Sequence, residues 1–234
     1  MIMRRLFIIS AVLALGIALV SCEKLPSGGK VPEGAVDLGL SVYWASCNLG
    51  TEYELVEGYR YAWGETETRR SFDKSDYKWY SGDPPVLTKY ISDAYSGTAD
   101  KYGVKIDKKS RLDREDDAAR VRLQGKWRMP TGAEVKELMH ECKWIWVDEK
   151  TSYPEIGAEV QRRGYRVVGP NGNSIFIPAT MYSSSSGFYF SLWSSTLSID
   201  KPERAWALYA DSSGVSYVAL PRHEGHPIRP VYGR

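Results

Sequence analysis

Gly125-Lys126-Trp127-Arg128-Met129-Pro130-Thr131-Gly132-Ala133-Glu134-Val135-Lys136-Glu137-Leu138 is the stretch from which the fold is read. Thr131 stands where a helix N-cap belongs. Its hydroxyl can accept the backbone N–H of Glu134, and the Glu134 carboxylate can reach back to the N–H of Thr131. Pro130 keeps the approach extended, and Val135, Leu138, Met139 and Cys142 then recur at i, i+3, i+4 and i+7, giving residues 132–142 one apolar helical face. The stretch is a tightly specified strand-to-helix junction, and it carries fold information rather than chemistry.

Strand signals lie on both sides of it. Residues 36–40 and 42–47 open the patterned part of the chain. Residues 143–147 follow the helix and place Trp144 and Trp146 on one side by two-residue alternation. Residues 165–168 and 174–177 flank a loop containing Asn171-Gly172, and residues 205–210 and 215–220 flank Asp211-Ser212-Ser213-Gly214, so each pair predicts a hairpin. Residues 228–232 predict a short closing strand. A second helix is predicted over residues 114–122, with Asp113 as N-cap, Asp116 at N3 and Glu115, Asp116 and Asp117 at the positive end of its dipole. Residues 51–109 read as irregular loops pinned by Tyr59, Tyr61, Trp63, Tyr77, Trp79 and Tyr80. Two short helices among hairpins predict an α+β domain dominated by strands.

The first 21 residues read as a lipoprotein signal peptide: Arg4 and Arg5, an apolar run too short to span a bilayer comfortably, then Leu19-Val20-Ser21-Cys22, which resembles a bacterial lipobox. Cleavage would leave Cys22 to be acylated, and each buried methylene of its acyl chains adds about 0.8 kcal/mol of membrane affinity. Residues 22–34 are polar and rich in Gly and Pro, as a flexible tether is, leaving residues 35–234 as one domain. Loss of Arg4 and Arg5 from 31 basic residues leaves 29 against 29 acidic ones, a neutral chain with no basic footprint for nucleic acid. The expected partner is the membrane, through Cys22, with the protein on the outer membrane; Glu23-Lys24-Leu25 does not decide between its surface and periplasmic faces. Cys47 and Cys142 remain, either bridged in an oxidising compartment or present as two buried thiols, a choice that geometry makes.

Residues 36–50 (VDLGLSVYWASCNLG), 61–67 (YAWGETE), 112–119 (LDREDDAA), 125–131 (GKWRMPT), 172–179 (GNSIFIPA), 193–195 (WSS) and 228–231 (IRPV) resemble, in order, the Fibrobacter succinogenes major paralogous domain family, abundant in lipoproteins of the Bacteroidetes and Fibrobacteres. A weaker similarity joins residues 115–119 and 127–134 to formylglycine-generating enzymes, which implies their C-type-lectin-like fold. Val135 departs from the Trp of that pattern, and Leu192 interrupts an aromatic-Trp-Ser-Ser run. Those enzymes use a pair of late cysteines. This sequence has none after Cys142, so the resemblance does not carry their activity over.

Other candidate chemistry is thin. Asp113, Glu115 and Asp116 offer oxygens to Ca²⁺ but lack the spacing of an EF-hand loop, and helix capping accounts for the same residues, so no cofactor is expected. His223-Glu224-Gly225-His226 lies between Pro221 and Pro227, where a zinc-binding helix is disfavoured and solvent-facing imidazoles are expected. His140 is expected on the exposed flank of the helix. No Gly-x-Ser-x-Gly elbow supports a serine nucleophile, and no phosphate loop or dinucleotide fingerprint is present. Trp44, Trp63, Trp127, Trp144, Trp193 and Trp206 are expected in the core. Tyr182, Phe188, Tyr189, Tyr209 and Tyr217 are the candidate ligand surface, because the resemblance places ligand sites in this late region. The expectation is a non-catalytic binding or adhesion module for a glycan or protein. The alternatives are an assembly subunit of a cell-surface complex and, behind both, an enzyme of another type.

Overall fold

The computed structural model describes residues 31–153 and 158–234. Cys22, the signal segment and most of the tether lie outside the described residues. In chain order the elements are β1 (Ala35–Val36), β2 (Val42–Ala45), β3 (Tyr80–Ser81), β4 (Val86–Leu87), α1 (Ser96–Tyr102), α2 (Ala118–Leu123), β5 (Trp127–Arg128), α3 (Gly132–Glu141), β6 (Lys143–Tyr153), β7 (Ala158–Val168), β8 (Ser174–Pro178), β9 (Met181–Ser183), β10 (Gly187–Leu197), β11 (Arg204–Asp211), β12 (Gly214–Pro221) and β13 (Val231–Gly233). The strands form antiparallel sheets in the orders β1-β2-β13-β5, β6-β7-β8 and β12-β11-β10-β9, with β3–β4 a separate pair. The protein is therefore α+β, mostly antiparallel sheet with a few short helices.

The junction forms as its residues dictate. Thr131 Oγ1 accepts the Glu134 N–H at 3.3 Å, and a Glu134 carboxylate oxygen accepts the Thr131 N–H at 2.8 Å, closing the capping box. The same carboxylate takes both terminal nitrogens of Arg128, which ties β5 to the helix it precedes. Val135 and Leu138 face inward and are fully buried beside Cys142, Tyr165, Val167, Phe190 and Leu208. Each large aliphatic chain buried there contributes roughly 1.5–3 kcal/mol. Val135 and Leu192 both sit in this core.

Three expectations change. A third helix, α1, lies inside the tract read as loops. Its sequence is poor in helix formers, and tertiary burial of Ala99 with a left-handed Gly103 cap (φ 66°) holds it. The second helix starts later than predicted: residues 114–116 form a 3-10 turn, Asp113 makes no side-chain cap, and Asp117 caps α2 by accepting the Arg120 N–H at 3.0 Å. Asp117 also accepts the Met129 N–H, so a single buried carboxylate serves a helix start and a strand end. Strand β1 stops at Val36 because Asp37 folds back onto the Gly39 N–H, and Gly39 adopts φ 80°. Cys47 and Cys142 are both buried, and Cys142 carries a thiol.

Candidate functional site

Cross-strand neighbours share a sheet face and side chains alternate along a strand, so the register sorts the late aromatics. Trp144 pairs with Val167 and Trp146 with Tyr165, and both tryptophans pack edge-to-face on the Tyr165 ring. Tyr165 in turn meets Phe190 of the opposing sheet at 6.4 Å between centroids. Two residues further out on the same faces, Asp148 pairs with Arg163, and Phe188 pairs with Tyr182. Here the core between the sheets runs out. The Arg163 guanidinium lies 3.8 Å from the Phe188 ring centroid, and the Tyr182 and Phe188 rings meet edge-to-face at 5.2 Å. Tyr182 is 65% exposed and Phe188 37%, so two rings and a guanidinium line an open mouth between the β6–β7 arm and the β9–β10 hairpin.

The other three candidates do not join them. Tyr189 and Tyr209 lie on the opposite face of the β9–β12 sheet, where their rings stack at 5.4 Å. Burial raises the Tyr209 phenol above its usual range. Tyr217 lies under α3, stacked on Trp206 at 4.8 Å with Lys136 Nζ 5.4 Å from its ring. The five aromatics therefore make one exposed pair, one half-buried pair and one residue that packs a helix. Of the tryptophans, Trp44, Trp63 and Trp193 are buried, whereas Trp127, Trp144 and Trp206 are half-buried at sheet margins.

The histidine segment departs from expectation. His140 is exposed, as predicted, and His223 is half-buried, where desolvation lowers its imidazole below the usual range. His226 is buried. Its Nδ1 shares a 2.6 Å hydrogen bond with Ser191 Oγ, its ring meets Trp193 at 4.8 Å, and Nε2 lies 3.4 Å from Glu224. The turn after Pro221 brings it inward, because His226 and Tyr61 exchange both backbone bonds. Serine, imidazole and carboxylate thus stand in sequence, yet Ser191 is 1% exposed and offers its hydroxyl to no substrate in this conformation. Burial, with Glu137 and Glu141 nearby, pushes the Cys142 thiol to about 11, so it is protonated and inert at neutral pH.

The ligand atoms of Asp113, Glu115 and Asp116 lie within 4.8 Å of one another and could hold a metal ion. An ammonium already stands among them: Lys89 Nζ is 2.7 Å from Asp113, 3.7 Å from Glu115 and 2.6 Å from Asp116. Lys109 reaches Asp113 at 2.6 Å, Lys78 reaches Asp116 at 3.2 Å, and the Tyr90 hydroxyl donates to Asp116 while accepting the Asp113 N–H. Burial alone would raise Asp116, and its bonds from Lys89, Tyr90 and Lys78 more than reverse that. Asp113 is likewise lowered by Lys109 and Lys89 against its burial. The cluster ties the loop tract to α2.

Sequence reasoning missed Arg163, Arg222 and Arg229. Arg222 and Arg229 are fully buried and fasten the segment after β12 to backbone carbonyls of distant loops and strands. Their signal was an arginine set among prolines and apolar residues, at Pro221-Arg222 and Ile228-Arg229-Pro230. The chain matches no protein-family model, no curated protein and no solved structure.

Proposed function

We propose that this protein is a non-catalytic binding or adhesion module of the cell envelope, anchored through acylated Cys22 by a tether over residues 22–34. The domain is residues 35–234, and its ligand, a glycan or a protein, binds at the rim where Tyr182 and Phe188 are exposed. The single observation that carries the reading is that ring pair, left uncovered with a guanidinium stacked against it at the mouth of the main core. The resemblance to the Fibrobacter major paralogous family and to the C-type-lectin-like fold supports the same reading, as does the lipobox. Incubating the full chain on glycan and protein arrays tests it. Binding that Tyr182→Ala abolishes is the expected result; no retained ligand on either array would overturn it. Protease treatment of intact cells reads whether the domain stands on the surface or in the periplasm.

A second reading, a subunit of a surface assembly, draws on β6, whose eleven residues form one edge of the β6-β7-β8 sheet. Stoichiometric co-purification with one envelope protein from cross-linked cells would favour it. The reading takes no cofactor. Ca²⁺ at Asp113, Glu115 and Asp116 would have to displace Lys89, so millimolar calcium is expected to leave the thermal midpoint unchanged.

A further inference from the structure

The mouth between the two hairpins carries exposed polar atoms that no other described residue bonds. Arg163 gives its Nε to Asp148 Oδ1 at 2.9 Å, and its two Nη atoms have no acceptor among the described residues. By covalent geometry the edge formed by those two atoms faces away from the Nε–Asp148 bond, and the Phe188 ring, its centroid 3.8 Å from the guanidinium carbon, restricts where it can swing. Gln161 donates to the same Asp148 oxygen at 2.5 Å, which leaves its amide oxygen and Asp148 Oδ2 without donors among the described residues. The Tyr182 hydroxyl is likewise unspent. A fixed two-nitrogen fork fits a carboxylate, which accepts both N–H groups side by side. An exposed ring fits the C–H face of a sugar, and a rim of mixed donors and acceptors fits its hydroxyls.

Resting on the binding-module reading above, we infer that this mouth binds a glycan bearing carboxylates, a hexuronate oligosaccharide. The Arg163 fork holds the carboxylate. The Tyr182 ring lies under the sugar, and Asp148 and Gln161 take its hydroxyls. Asp148 lies on the Nε side of the guanidinium and the ligand carboxylate on the Nη side, so the arginine separates the two anions.

Calorimetric titration of the full chain with trimers of galacturonate, glucuronate and mannuronate, each beside its methyl ester, tests this. At least one acid trimer is expected to bind tenfold or more tighter than its ester. Arg163→Met should weaken that acid at least tenfold and leave the ester unchanged, and Arg163→Lys should fail to restore the acid because an ammonium lacks the fork. Tyr182→Ala should weaken both. Unchanged urea midpoints in the three variants would show that the fold is intact. Acid and ester binding alike, an Arg163→Met protein that binds the acid normally, or no trimer bound while another array ligand is retained would overturn the uronate assignment and leave the binding module standing. Silence from the trimers and the arrays together would remove both.

Discussion

Arg222 shows how much one side chain holds in this molecule. It is fully buried and donates to the Tyr77 hydroxyl at 2.9 Å and to the carbonyls of Pro202, Lys89 and Tyr90. The rings of Trp63, Tyr77 and Tyr90 surround its guanidinium. None of these bonds goes to a carboxylate, so carbonyl dipoles and ring faces carry the charge. Burial raises the Tyr77 phenol although Arg222 opposes it, so the hydroxyl stays neutral and donates onward to the Trp63 carbonyl. Arg222→Met would orphan four acceptors at once and is expected to cost at least about 3 kcal/mol in urea unfolding, with Arg222→Lys no rescue. Cys142 gives a second test at this scale. Its buried thiol, pushed to about 11, should react with a thiolate-seeking reagent only after denaturation. The readout is one fewer titratable thiol in Cys142→Ala than in the parent, seen in denaturant and absent without it. The burial of Cys142 was legible in the helical period; that of Arg222 was not, because an arginine between Pro221 and His223 is buried only once four distant segments converge on it.

At the scale of elements, the junction into α3 was legible because every interaction that defines it is local, from Pro130 to Leu138. The hairpins at Asn171-Gly172 and Ser212-Ser213 were legible for the same reason, since turn chemistry and alternation both act within a few residues. Helix α1 was not, because it rests on the tertiary burial of Ala99, and the choice of Asp117 over Asp113 as cap was not, because both offer the same side chain and only Asp117 also takes the Met129 N–H. Gly132 belongs to both worlds. A Cβ there would run into the Tyr217 hydroxyl, which the Trp206 stack holds in place. A helical Gly→Ala change ordinarily stabilises by about 0.4–1 kcal/mol. Gly132→Ala is expected instead to destabilise by about 1–2 kcal/mol, the range for overpacking. Adding Tyr217→Phe should return much of that loss, and a double-mutant cycle in urea measures the coupling.

At the scale of the whole molecule, charge sets the pH range. Folded Asp113, Asp116 and Glu134 all have lowered pKa values, because Lys109, Lys89, Lys78 and Arg128 outweigh their burial. Each therefore adds stability above the unfolded carboxylate value of about 4, and that contribution is lost as pH falls through its folded value. Asp117 is shifted up by burial, so its ionisation costs stability and acid relieves that cost. Asp211 and Glu224 are lowered as well, so with five carboxyls against one the thermal midpoint should fall below about pH 4, and Asp116→Asn should flatten that limb while lowering the plateau. Lys89 is raised by Asp113 and Asp116 against its burial; its contribution is complete below about 10.4 and fades as pH rises through its folded value. Which of the late aromatics reach solvent together was beyond the sequence, since sheet register and the opposing arm decide it.

The order of strands in the first sheet adds a consequence in time. Because β13 lies between β2 and β5, a chain leaving the ribosome cannot join those two strands into one sheet until residues 231–233 have been synthesised. Arg229, which bonds to the carbonyls of Ala45 and Phe176, arrives only just before them. Such a domain cannot close piecemeal from its N-terminus, and its first sheet stays open until the last strand has been made.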